Sequence, residues 1–200
     1  MEVLVGEDGV ARCWWGRSTP DYQSYHDDEW GMPVDNEFRL FEKLCLEGFQ
    51  SGLSWLTILR KREDFRRVFH DFDYGAVAEM GESDVERLLE DASIVRHRGK
   101  IEASINNARR AIEIVADVGS LGALVWQFEP ADRSPVEIPA VTAESTALAK
   151  ELKRHGFRFF GPTTAYAFMQ AMGLVNDHIG ACIVRAEVER ARQSFTPPGR

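Results

Sequence analysis

Four side chains suited to a metal ion stand out before any fold is assigned. His178 and Cys182 lie four residues apart, so on a helix they would share one face and present an imidazole and a thiolate in the same direction. Cys13 and His26 would complete a Cys2His2 set if the N-terminal segment folds against the C-terminal one. A closed set of this kind suits structural zinc, because four protein ligands leave no position for substrate or an activated water. The competing reading is four core residues whose spacing is coincidental, since Cys13 and His26 do not form a compact finger pattern with the other two. Cys45, the remaining cysteine, falls on an apolar helical face and reads as an inert buried thiol. Three cysteines in 200 residues argue against a disulfide framework.

A carboxylate, aromatic rings and two basic clusters form the second group. Glu47 and Trp55 flank a predicted helix junction, a placement that suits a pocket wall. Arg96, His97, Arg98 and Lys100 surround Gly99 in a short turn between two helical patterns, and such a hairpin can set its turn amides and helix N-terminus against a phosphate. Lys153, Arg154, His155 and Arg158 make another cluster ahead of Gly161. Each of these groups also has a plain structural reading, as helix-end carboxylate, core aromatic or solvated basic face.

The elements that must position these residues read as helices. Asp35 is expected to cap a helix carrying Phe38, Phe41, Leu44 and Cys45, interrupted at Gly48, with a second starting near Gly52 and running through Leu53, Leu56, Leu59 and Phe65. Ser83 and Glu86 stand in capping-box relation before Val85, Leu88 and Leu89. A long helical pattern then follows through Ile101, Ile105, Ala108 and Ile112. Further helices are expected over Leu121 to Phe128, after Thr142 or Ser145, after Gly161-Pro162-Thr163 and around Glu187 to Arg192, with a proline-rich surface connection over residues 129–139. No sustained alternation of β-branched residues appears, so the fold class is all-α.

Composition limits the function. The chain is 44% hydrophobic and 28% charged, the profile of a globular core, and its net charge of -8 does not favour nucleic acid or an anionic membrane except through a local patch. The N-terminus lacks a basic opening before an apolar run, and no stretch of about 20 apolar residues occurs, so the cytoplasm is the expected compartment and no membrane is expected as a partner.

The stretches RCWW, YQSYHDDEWGMPV, LFEKLCLEGFQSGLSWLTILRKRE, IVRHRGKI and KRHGFRFFGPTTAYAFMQAMGLVNDH together resemble the bacterial 3-methyladenine DNA glycosylase I family of the helix-hairpin-helix superfamily. The resemblance implies a bilobed helical fold with its hairpin at Ile94 to Ile101, and structural Zn2+ on Cys13, His26, His178 and Cys182 without an organic cofactor. It implies that Glu47 recognises the methylated base between Tyr25 and Trp55, with Trp15 and Tyr22 as supporting pocket residues. Arg96, His97, Arg98, Gly99 and Lys100 would hold DNA, with Lys153 and Arg154 as further contacts. On this reading residues 1–12 are a flexible lead-in, 13–192 one helical domain of two lobes, and 193–200 a frayed tail. The expected partners are duplex DNA containing 3-methyladenine and the free base it yields, with no obligate protein partner, in a bacterial cytoplasm where the enzyme is nucleoid-associated when acting. No lysine nucleophile is expected in the pocket, which favours a monofunctional hydrolase over Schiff-base lyase chemistry. Phe49 departs from the close family pattern and is assigned no catalytic part. Two rivals differ in class: a zinc-stabilised DNA-binding protein that releases no base, and a metallohydrolase acting on other substrates through His178 and Cys182.

Overall fold

In the computed structural model, residues 3–131, 133 and 138–199 are described. The chain opens not with a loose lead-in but with two short strands, β1 (Val3–Val5) and β2 (Ala11–Cys13), paired antiparallel with Val3 opposite Cys13. Ion pairs secure this hairpin more than apolar alternation does. Asp8 in the turn accepts from Val10 N–H and from Arg12, and Arg12 Nε reaches Asp27 at 2.8 Å. A hairpin fixed in this way carries little hydrophobic periodicity, which is why the sequence pattern does not betray it.

The rest is helical and bilobed. Pro20 starts α1 (Pro20–Asp28) at a position where its missing N–H costs nothing. The cap of α2 (Glu37–Gln50) is Asn36, whose side chain accepts from Arg39 N–H, rather than Asp35. Gly48 does not interrupt this helix. A Cβ there would lie 3.2 Å from the Phe159 carbonyl oxygen, so the glycine lets a distant segment lie against α2. Gly52 sits at φ 79° in the following turn, and α3 (Trp55–Arg60) therefore begins later than expected, capped by Ser54. Next come α4 (Arg62–Val68) and α5 (Tyr74–Ala78). In α6 (Glu82–Glu90) Asp84 accepts from Gly81 N–H, so the expected Ser83 and Glu86 box is displaced by two residues. His97 caps α7 (Arg98–Val118), and α8 (Leu121–Val125) continues as a 3-10 turn to Phe128. Thr142 caps α9 (Ala143–Arg154), and α10 (Pro162–Ala171) and α11 (Arg185–Ser194) complete the series. Of the expected connection over 129–139, residues 132 and 134–137 lie outside the described residues.

Packing follows two groupings. Helices α5, α6 and α8 lie against α7, whereas α9 packs on α10. Between them runs α2, in contact with α7, α8 and α10, and ten of its fourteen residues are buried. Phe38, Leu53 and Ile112, expected inward, are exposed, but Phe41, Leu44, Cys45, Ile101 and Ile105 join the core. Burial pushes the Cys45 thiol up to about 12, in keeping with an inert role. Among the described residues no single helix is long and apolar enough to cross a membrane.

Candidate functional site

The ligand atoms of Cys13, His26, His178 and Cys182 all lie within 4.8 Å of one another, and all four residues are buried. Residues 172–184 form turns between α10 and α11, so the shared helical face expected for His178 and Cys182 does not exist. The turns nevertheless return Cys182 Sγ to 3.5 Å from His178 Nδ1. His26 Nε2 is 3.4 Å from Cys182 Sγ, and Cys13 Sγ is 3.7 Å from His178 Nδ1. A tetrahedral ion with the usual Zn–S and Zn–N bond lengths has ligand–ligand edges of about 3.6 Å, which these separations match.

The imidazoles are also oriented for a metal. His178 Nε2 lies 2.8 Å from the Trp30 carbonyl oxygen, which can only accept, so that nitrogen carries the hydrogen and Nδ1 turns a lone pair toward the cluster. His26 is set the same way, with Nδ1–H donating to Asp27 at 2.7 Å and Nε2 left free to ligate. Arg12 holds that aspartate from its other side. Hydrogen bonding from the Cys13 thiol, and further bonds to His178 and His26, hold the Cys182 thiol far below its ordinary range, so the sulfur pair surrenders its first proton there. The donor set and its geometry therefore fit structural zinc, clasping β2 and α1 to the segment before α11.

Tyr25 precedes His26 on α1, so the metal cluster and a second constellation share one helix. Glu47, in the last turns of α2, forms an ion pair with Lys43 at 2.9 Å, and both side chains are at most 7% exposed. Lys43 Nζ also donates to Tyr25 Oη at 2.9 Å and sits 3.2 Å from the Trp55 ring centroid. Tyr25 and Trp55 stand 5.4 Å apart with their planes inclined by 43°. That is closer than the roughly 7 Å needed to sandwich a base between two rings at van der Waals distance. Burial, reinforced by Glu47, raises the Tyr25 hydroxyl well above its ordinary value, so it stays neutral. Trp15 links the two centres, with its ring 5.2 Å from Tyr22, 6.3 Å from Tyr25, 5.0 Å from His26 and 5.0 Å from Trp30.

Lys43 is the residue that sequence reasoning missed; the expectation concerned a lysine nucleophile, and Lys43 stands here as the ion-pair partner of Glu47. Its signal was an i, i+4 Lys–Glu pair inside a strongly apolar helix, where exposed pairing is not the natural outcome.

The chain matches the methyladenine glycosylase family model over residues 14–186. The chain belongs to that family. It is 50% identical over 179 residues to DNA-3-methyladenine glycosylase 1 of Escherichia coli (strain K12), spanning 86% of this chain and 96% of the relative. It is 41% identical to DNA-3-methyladenine glycosylase of Haemophilus influenzae, spanning 86% of this chain and 97% of that one. The 3-methyladenine DNA glycosylase I of Staphylococcus aureus superposes with a TM-score of 0.82 at 36% identity, covering 87% of this chain and 96% of the other.

In this methyladenine glycosylase the basic hairpin is less available than its sequence suggests. Lys100 is buried and donates to the carbonyl oxygens of Phe49 at 3.0 Å and Ser51 at 2.6 Å, so it ties α7 to the end of α2 and is not a free phosphate ligand. Arg98 pairs with Glu82, Glu86 and Glu102, and Arg154 with Glu151. Arg96 and His97 are exposed, as is Lys153, and neither Arg96 nor Lys153 forms an ion pair with a described residue. A Cβ at Gly99 would lie nearest the His97 and Phe159 side chains, at 3.4 Å or more.

Proposed function

We propose that this chain is a monofunctional DNA N-glycosylase that releases 3-methyladenine from alkylated DNA and leaves an abasic site. The observation that carries the reading is the buried Glu47 carboxylate beside Tyr25 and Trp55, in a chain whose relatives are named for this activity. A modified base must leave the helical stack before such a pocket can surround it, and aromatic faces restore part of the stacking, at about 1–3 kcal/mol per base. Glu47 accepts from the exocyclic amino group and complements the positive charge of the 3-methylated ring. The indole N–H of Trp55, buried without an acceptor, is a donor that a ring nitrogen would satisfy.

The chemistry needs little acid catalysis. When the C1'–N9 bond breaks, its electron pair neutralises the already cationic base, which departs without protonation. Water adds to C1' of the oxocarbenium-like sugar and loses a proton, giving the abasic hemiacetal. Cys13, His26, His178 and Cys182 would hold zinc, which would fix α1 and with it Tyr25. The turn at Arg96, His97 and Gly99, with Arg96 and His97 exposed, offers the N-terminus of α7 to a phosphate, with Arg98, Lys153 and Arg154 at the margin. The enzyme works in the cytoplasm on chromosomal DNA.

Incubation with duplex DNA containing 3-methyladenine and with matched undamaged DNA tests this directly, reading released base by mass spectrometry. Selective release is expected. Lesion-dependent binding without an abasic product, by folded zinc-loaded protein, would instead identify a damage-binding protein. Lesions containing 3-methylguanine, assayed in parallel, define the breadth of the pocket.

A further inference from the structure

Lys43 occupies a place that the glycosylase reading leaves without a role. Its ammonium touches three groups assigned to the base: 2.9 Å from the Glu47 carboxylate, 2.9 Å from the Tyr25 hydroxyl and 3.2 Å from the Trp55 ring centroid. A cation lying over an indole face and beside a carboxylate reproduces the two attractions that a 3-methylated adenine would use, charge pairing and cation–π contact. Both cannot hold these partners together. The Tyr25 and Trp55 rings, 5.4 Å apart, leave no space for a stacked base while Nζ lies against them.

We propose that Lys43 is a displaceable occupant of the base pocket, an internal cation that holds Glu47 and the Trp55 face until a cationic base takes its place. This rests on the glycosylase reading and adds a specificity-determining residue to it. The exchange is balanced only for a cation. When an alkylated base enters, Glu47 regains a positive partner and Trp55 regains a positive cover, while the Lys43 ammonium recovers its hydration outside. A neutral adenine restores neither charge contact and leaves the carboxylate buried without a counter-ion, an unfavourable arrangement. The lysine thus sets a threshold that undamaged bases do not cross. Burial lowers the Lys43 pKa, the mark of hydration that the ammonium gives up at this position and regains on leaving it. After the bond breaks the base is neutral, and the returning ammonium competes with it for Glu47, which favours product release.

The experiment uses native protein and 3,9-dimethyladeninium, a permanently cationic mimic of the bound nucleobase. Amine-selective labelling read by mass spectrometry should find Lys43 protected in the free protein and labelled when the mimic is present, with Lys100 protected in both states. Lys43→Met keeps the apolar stem and removes Nζ. It should bind the mimic more tightly, on the order of tenfold, and make 9-methyladenine a measurable ligand. Lys43 that stays protected with the mimic bound, or a folded Lys43→Met variant that binds the mimic no better, overturns the proposal. The labelling comparison decides the matter even if the variant fails to fold. Absence of base release by the unmodified enzyme is a separate result, and it would strike the glycosylase reading itself.

Discussion

Replacing Lys100 with methionine separates two roles that one lysine in a DNA-binding turn can have. The ammonium donates to two backbone carbonyls, Phe49 O at 3.0 Å and Ser51 O at 2.6 Å, and the residue is 7% exposed. Hydrogen bonds from charged donors contribute about 1.5–3 kcal/mol each. Burial lowers the Lys100 pKa, reflecting lost hydration that offsets part of this gain, so the net loss expected for Lys100→Met is about 2–3 kcal/mol. For a chain of this size that lowers Tm by roughly 4–12 °C. Urea denaturation gives the same quantity isothermally, as a reduced midpoint at unchanged slope. DNA affinity measured against salt should keep its slope, because no phosphate contact is removed. A phosphate ligand would behave oppositely: stability would hold and the slope of log K against log salt would shrink by about 0.9. That second pattern would refute the assignment of Lys100 to the α2 terminus.

Other perturbations address the remaining links. Glu47→Gln leaves the Lys43 ammonium buried without its carboxylate and should cost about 3 kcal/mol in urea denaturation; adding Lys43→Met should restore most of it, and strict additivity would count against their coupling. Gly16→Ala would place a Cβ 2.5 Å from His26 Cγ, displacing the ring, so zinc affinity in a chelator competition should fall about 10–100-fold. Chelation should lower Tm and perturb tryptophan fluorescence, because the rings of Trp15 and Trp30 touch His26 and His178, and both changes should reverse on adding zinc. Substitution by Co2+ should preserve base release, and activity that tracked metal identity would argue against a purely structural ion.

Residue type proposed the metal set and left a coincidental reading open; the family resemblance selected the same four ligands, and the helical spacing offered for His178 and Cys182 proved irrelevant. The position of α2 was also readable from its apolar face, because burial periodicity is a property of nearby residues. What escaped detection depended on partners remote in sequence. The N-terminal hairpin is secured by Arg12 reaching Asp27, Lys100 is buried by two carbonyls of another helix, and Gly48 is required by the Phe159 backbone. Lys43 escaped for a related reason: its pairing with Glu47 along the helix is visible in the sequence, but its contacts with Tyr25 and Trp55 are made by elements remote from it.

The clasp at Cys13, His26, His178 and Cys182 also fixes when the enzyme can be finished. Two ligands leave the ribosome near the start of synthesis and two near its end. At about 5–20 residues per second, the early pair waits on the order of ten seconds for its partners. Throughout that interval Tyr25 sits on a helix with only half of its anchor made, so the cluster of Tyr25, Glu47 and Trp55 is among the last parts of the nascent chain to acquire its final shape. A chain stalled before Cys182 would carry its core helices and the turn at Arg96 to Lys100, yet the helix that bears Tyr25 would remain unclasped.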